Sequence, residues 1–230
     1  MNKFKILEWF NSIDGESRRG GELATFIRVP KCNCSCKWCD SKWSMDDSQC
    51  SEMSLDEIIT KAKETAYHNI TLTGGEPLIT ENIEDLIKAL ANNHFDVSIE
   101  TNGSISIKDK PYYNMSNVWF SMDYKCPSSG MTSKMISAEE MSYLRECDTL
   151  KFVVADKEDL EYALNRINEI EDCYDKRNES SRCTYYFSPC FGEIELIDIV
   201  NFMKDNNLQR RVKLQVQLHK IVWDPNERGV

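Results

Sequence analysis

Four cysteines fall within the eight positions 32–39 of the segment KCNCSCKWCD, and a tryptophan, Trp38, directly precedes the last of them. Taken as ligands, Cys32, Cys36 and Cys39 form C-x3-C-x2-C and set three thiolates on one compact loop, just after the strand-like run ATFIRV at 24–29. Thiolates are soft donors that suit zinc and iron–sulfur clusters. A structural zinc site takes four ligands, so Cys34 or Cys50 would have to complete it. A [4Fe–4S] cluster also normally takes four thiolates, so three would leave one iron open to a substrate or cofactor. Buried, inert cysteines are the third reading.

A second motif bears on the choice. TGGEPL, at 73–78, follows the strand-like run HNITLT at 68–73. Gly74 and Gly75 would let backbone groups approach a ligand closely, while Glu76 and the following proline fix the turn. Alone such a turn is common. About forty residues after three spaced cysteines in one alternating chain, it points to a cofactor site.

The elements that must position these loops are legible as periodicity. Strand-like runs at 24–29, 68–73, 96–101, 117–121, 149–155, 183–188 and 212–219 alternate with helical patterns. That order predicts an α/β fold with a largely parallel sheet. Ser54 with Glu57, and Ser137 with Glu140, read as capping boxes that open helices. Leu160, Ala163, Leu164 and Ile167, then Leu196, Ile199, Val200 and Met203, repeat at helical spacing. The polar run at 171–182 and the segment at 46–54 read as surface loops.

The chain has 230 residues, a formal charge of −10 and ten cysteines. It is long enough for one full-sized core and need not be split, so residues 1–230 are expected to form a single domain. The opening MNKFKILEWF carries no long apolar run and no small-residue cleavage site, so no signal peptide or membrane span is expected and the cytoplasm is the expected compartment. There the cysteines are reduced and serve metal binding or catalysis. The negative charge repels nucleic-acid backbones and anionic lipid, which leaves a small molecule as the expected partner.

With both motifs in place, the chain resembles the radical S-adenosylmethionine enzymes, CNCSCKWC matching their cluster loop and GGEP the loop for the methionine amino group. A finer resemblance, to the 7-carboxy-7-deazaguanine synthases, runs from FNSIDGESRRGGELATFIRVPKCNCSCKWCDS through ETNG, SMDYKCPSSG, LKFVV and FSPCFG to LQVQLHK. It implies a partial (β/α) barrel, a [4Fe–4S] cluster on Cys32, Cys36 and Cys39, and S-adenosylmethionine chelating the fourth iron, to be cleaved reductively to a 5′-deoxyadenosyl radical. It also implies ring contraction of 6-carboxy-5,6,7,8-tetrahydropterin with loss of ammonia, in queuosine and related deazapurine biosynthesis. Magnesium, an electron donor such as flavodoxin or ferredoxin, and a homodimer come with it.

By the same resemblance, Trp38, Gly74, Gly75, Glu76, Glu100, Asn102, Ser121, Lys125 and Ser188 would line the cofactor. Ile13, Asp14, Gly15, Glu16, Arg28, Thr73, Gln217 and His219 would line the substrate, and Asp40 and Ser41 would hold magnesium. The residue types fit. A carboxylate such as Glu16 can accept two hydrogen bonds side by side from the guanidine-like edge of a pterin. Arg28, inside an apolar strand, needs an anion, either the substrate carboxylate or a protein one. Gln217 and His219, two apart on an expected last strand, would share a face. The chain departs from the family pattern at Asp14 and Ser17, where glutamine and glycine are usual, at Ser41 in place of threonine, and at Cys34 in place of leucine. Two other readings remain: a glycyl-radical activase of the same superfamily, and a non-catalytic zinc- or cluster-binding module.

Overall fold

The computed structural model describes residues 2–230; Met1, the first residue of the opening segment and of the expected domain, lies outside them. The chain opens with β1 (Lys3–Ile6), β2 (Glu8–Ile13) and β3 (Leu23–Val29), followed by the cysteine loop. After it come β4 (Ser51–Ser54), α1 (Leu55–Glu64), β5 (Asn69–Gly74), α2 (Ile83–Asn92), β6 (Asp96–Thr101) and β7 (Val118–Lys125). The second half adds α3 (Ala138–Met141), β8 (Thr149–Val154), α4 (Lys157–Lys176), β9 (Thr184–Pro189), α5 (Leu196–Asp205), β10 (Val212–Leu214) and α6 (His219–Val222). Eight strands form one sheet in the order β10-β9-β8-β7-β6-β5-β3-β2, parallel throughout except that β2 runs antiparallel to β3. The two edge strands are not paired with each other, so the sheet is an open, partial barrel, as expected.

Strand alternation divides the sheet into two faces. Ile27, Val29, Ile70, Leu72, Val97, Ile99, Phe120, Met122, Leu150, Phe152, Val154 and Phe187 point outward and are buried with the helices. Their neighbours in sequence point the other way: Phe26 and Arg28, Thr71 and Thr73, Ser98 and Glu100, Ser121, Asp123 and Lys125, Lys151, and Ser188. A parallel sheet covered on both faces by apolar packing has strands that read as continuous apolar runs. Here the inner face is polar, because it surrounds a cavity. Helices cover the outer face through amphipathic stripes: Leu86, Ile87 and Leu90 of α2, and Leu160, Ala163, Ile167 and Ile170 of α4, are 0–2% exposed. Both expected capping boxes are present, at Ser54–Glu57 and Ser137–Glu140.

Four boundaries differ from the sequence reading. β7 continues to Lys125, so SMDYK is strand and not the loop after it. The polar run at 171–182 is half helix: α4 extends to Lys176 because Tyr174, four residues after Ile170, buries its ring and donates its hydroxyl to the Leu144 carbonyl. Residues 51–54, within the expected loop at 46–54, are the strand β4, paired antiparallel with β1. The last strand stops at Leu214 and does not reach 219. There the Gln215 N–H donates to the Phe187 carbonyl at 2.9 Å, and the chain then leaves the sheet so that the Leu218 N–H can reach the Gly15 carbonyl at 3.0 Å. His219 therefore opens α6.

The turn between β2 and β3 is anchored below the strands by Arg19. Its guanidinium, 5% exposed, pairs with Asp14 at 2.7 Å and donates to the Ile70 carbonyl at 3.2 Å, the Thr71 hydroxyl at 2.8 Å and the Asp96 carbonyl at 3.1 Å. Thr71 in turn donates to Asp14 at 2.6 Å. Asp14 thus has a protein partner that accounts for a carboxylate at this position. Removing one partner of a buried pair strands the other charge, so Arg19→Ala is expected to lower the unfolding free energy by about 3–5 kcal/mol in urea denaturation.

Candidate active site

Polar residues of neighbouring strands form a belt across the inner face. Glu8 of β2 stands opposite Arg28 of β3, Arg28 opposite Thr73 of β5, Glu100 of β6 opposite Ser121 of β7, and Asp123 of β7 opposite Lys151 of β8. Register makes them partners. Arg28 pairs with Glu8 at 2.9 Å, Thr73 donates to Glu100 at 2.6 Å, and Lys151 bridges Glu16 at 2.5 Å and Asp123 at 3.0 Å. Lys125 pairs with Asp123 at 2.9 Å and lies 5.3 Å from the centre of the Trp38 ring. Ser188 donates to Glu16 at 3.3 Å, and Ser17 hydrogen-bonds to Ser121.

All of these groups except Ser17 and Ser188 line a cavity of about 1210 Å³. Cys32, Cys36, Trp38, Cys39, Asp40 and Ser41 line it from the cysteine loop, and Ile13, Gly15, Glu16 and Arg28 from β2, its turn and β3. Thr73, Gly74, Gly75, Glu100, Asn102, Ser121 and Lys125 line it from the strand ends, and Gln217 and His219 from the C-terminal segment. Three of the expected site residues are not on its wall. Asp14 serves Arg19; Ser188 lies fully buried behind Glu16; Glu76 is buried and accepts from the Leu78 and Asn102 N–H groups at 2.9 and 2.6 Å and from the Thr101 hydroxyl at 2.8 Å. Glu76 therefore shapes the loop after β5 by tying it to β6.

The paired glycines have a second task besides approach to a ligand. A Cβ on Gly74, whose φ is +150°, would lie 2.1 Å from the Val29 carbonyl oxygen, and one on Gly75 2.0 Å from that of Lys31. In that space the Gly75 and Glu76 N–H groups donate to the Val29 and Lys31 carbonyls at 3.1 and 2.8 Å, sewing the two loops together. At the other end a Cβ on Gly15 would lie 2.7 Å from His219 Nδ1, so the glycine seats the imidazole.

The donor set of the cysteine loop fits an iron–sulfur cluster. The Cys32 sulfur accepts from the Cys34 N–H at 3.3 Å and from Asn102 Nδ2 at 3.4 Å. The Cys34 thiol and backbone, helped by Asn102 and Lys125, hold Cys32 down to about 6 despite burial, which favours at this one position the thiolate a metal requires, whereas burial raises Cys36. Cys34 is pushed well up by its hydrogen bond to Cys32 and by burial, so it remains a packed thiol. Among the described residues no three His, Cys, Asp or Glu side chains converge as a single metal ion would need. Ser41 precedes a 3-10 turn without capping it; its hydroxyl lies 3.7 Å from the Cys39 sulfur. Asp40 pairs with Lys220 at 3.3 Å.

Burial moves other groups. Glu100 and Glu76 are each raised to about 7 chiefly by desolvation, Lys151 and Thr73 partly opposing this at Glu100. Asp123 is held at about 2, its desolvation outweighed by Lys125 and Lys151. Burial lowers His219, which favours the neutral imidazole at pH 7.

Sequence reasoning did not assign Lys151 and Asp123 to the site, nor Phe10 and Phe26, whose rings stack at 4.9 Å on the cavity wall. The signal was present: Lys151 interrupts the apolar strand TLKFVV as Arg28 interrupts TFIRV.

Comparison with known proteins agrees with this geometry. Residues 26–110 match the Radical SAM superfamily. The 7-carboxy-7-deazaguanine synthase of Clostridium acetobutylicum is 42% identical over 230 residues, covering 99% of both chains. The chain belongs to the 7-carboxy-7-deazaguanine synthase family. A relative of the same name from Methanospirillum hungatei is 33% identical and covers 96% of this chain and 86% of its own. Among solved structures, QueE from Escherichia coli shares the fold, with a TM-score of 0.68 at 18% identity over 93% of this chain and 94% of that one. Family membership implies a [4Fe–4S] cluster and S-adenosylmethionine as cofactors. Among the described residues no helix is long and apolar enough to cross a membrane.

Two outcomes follow. Gly75→Ala should keep the far-ultraviolet circular dichroism of the fold yet take up markedly less iron and sulfide on reconstitution, because the methyl group displaces the cysteine-loop backbone. Glu100 has a folded pKa above its unfolded value of 4.5, so between about 7 and 4.5 the folded chain binds more protons. Stability of the ligand-free protein should therefore rise as pH falls through that window, and Glu100→Gln should flatten the rise in urea titrations.

Proposed function

We propose that this protein contracts 6-carboxy-5,6,7,8-tetrahydropterin to 7-carboxy-7-deazaguanine with loss of ammonia, as a carbon–nitrogen lyase of one domain. The observation that carries the reading is the shared cavity: three cysteines of one loop face, across the same space, a polar belt matched to a polar heterocycle. Cys32, Cys36 and Cys39 hold the cluster, and Trp38, Gly74, Gly75, Glu100, Asn102, Ser121 and Lys125 surround S-adenosylmethionine. When bound, these two groups supply a carbon-centred radical capable of abstracting hydrogen from the substrate.

The chain's own residues do the rest. Glu16, fixed by Lys151 and Ser188, accepts hydrogen bonds from the guanidine-like edge of the pterin. Ile13, Gly15, Thr73, Gln217 and His219 complete the substrate wall, and Arg28 attracts the substrate carboxylate. Asp40 and Ser41 offer hard oxygens to magnesium, which takes few protein ligands and keeps several waters. The electron comes from a carrier such as flavodoxin or ferredoxin, and the protein works as a homodimer. The activase and zinc-module readings are not favoured, since the chain matches these synthases along its whole length.

Anaerobic reconstitution with iron and sulfide, then incubation with reductant, S-adenosylmethionine and the carboxytetrahydropterin, should yield 7-carboxy-7-deazaguanine and ammonia by mass analysis. Cleavage of S-adenosylmethionine with the pterin returned unchanged would sink the reading. Glu16→Gln should weaken substrate binding by roughly ten- to a hundred-fold, the cost of about 1.5–3 kcal/mol for a charge-assisted bond, and leave S-adenosylmethionine binding intact. In magnesium titrations Ser41→Thr should match or exceed the parent, because its methyl group restricts χ1, and Ser41→Ala should respond less. Indistinguishable serine and alanine curves exclude Ser41 as a ligand.

A further inference from the structure

Four basic side chains on the cavity wall already have carboxylate partners: Arg28 with Glu8, Lys125 with Asp123, Lys151 with Glu16 and Asp123, and Lys220 with Asp40. Arg28, assigned above to the substrate carboxylate, thus brings a charge that Glu8 largely offsets. The C-terminal segment brings another cation to the same wall. Arg228 lines the cavity, and its guanidinium carbon lies 3.8 Å from the centre of the Trp43 ring; that of Arg28 lies 5.3 Å from the same ring. Among the described residues no carboxylate stands within ion-pair distance of Arg228, although Glu227 also lines the cavity.

We infer that Arg228 is a substrate-recognition residue that binds the carboxylate of the anionic heterocycle together with Arg28. Trp43 supports both guanidiniums, since stacking on an aromatic face fixes a planar cation without consuming its N–H donors. Those donors form a rigid fork that matches a carboxylate, whereas Lys37 and Lys42 on the same wall are point charges on flexible stems. The indole is half-buried beside the cysteine loop, in the 3-10 turn Lys42–Met45, so the stack also fixes where along the wall the carboxylate is received. This assignment rests on the substrate proposed above.

The test is calorimetric titration of the reconstituted holoenzyme, with S-adenosylmethionine present, against two pterins: 6-carboxytetrahydropterin and the same ring with a methyl group in place of the carboxylate. The parent should prefer the carboxylated ligand. Arg228→Gln should weaken that ligand by about tenfold and the methyl ligand hardly at all, while Arg228→Lys should recover part of the loss. Equal weakening of both ligands would make Arg228 a purely structural pin for the tail, and unchanged binding of both would remove it from the site; either overturns the assignment. A parent that does not distinguish the two pterins instead overturns the substrate reading, and this assignment with it.

Discussion

The site depends on a place where two backbones meet with no room for a side chain. Gly74 and Gly75 bring the end of β5 against Val29 and Lys31, and two N–H···O bonds close the seam. The cysteine loop begins at its edge, so the positions of three thiols are set by main-chain atoms and not by flexible side chains. Glu76 extends the seam to the next strand. Its carboxylate, fully enclosed, takes three hydrogen bonds from residues 78, 101 and 102, and Asn102 then donates to the Cys32 sulfur. Burying a carboxylate this way costs desolvation, seen in its raised pKa, and the gain is a fixed second loop beside the first.

Across the cavity, charge replaces backbone as the organising interaction. Lys151 stands between Glu16 and Asp123, and Asp123 between Lys151 and Lys125, so opposite charges alternate along the inner face. Each side chain is largely buried and would be costly alone; together they hold Glu16, which belongs to a turn, against two strands. Arg19 does the same for that turn from beneath, and Leu218 from the side, through its bond to the Gly15 carbonyl.

The order of the chain explains why the wall can be completed last. The segment after β10 crosses back over the β2–β3 turn, seats His219 on Gly15, pairs Lys220 with Asp40 and carries Arg228 to Trp43. Residues that lie 180 to 204 positions apart thus share one wall, tying the first turn, the cysteine loop and the tail into one enclosure.

Much of this was legible in the sequence. The spacing of Cys32, Cys36 and Cys39, the Gly-Gly turn, the α/β alternation and the capping boxes are local properties, fixed by a few neighbouring residues, and the structure shows the same elements. Most of the residues that the resemblance assigned to a site lie around one cavity. What the sequence could not decide was pairing between distant residues. Arg28 called for an anion, but only strand register could show that Glu8 stands opposite it. Asp14 appeared as part of a substrate turn, yet its partner is Arg19 beneath the strands. Lys151 stands out as a charge inside an apolar strand, but nothing in the sequence joins it to Asp123; they become neighbours because β7 and β8 pair with one particular offset, and period-2 alternation then turns both inward. Sequence therefore determined which chemical groups were available and on which local elements, while tertiary structure decided which charges neutralise each other and which remain free for a ligand, because that depends on distances no spacing along a chain encodes.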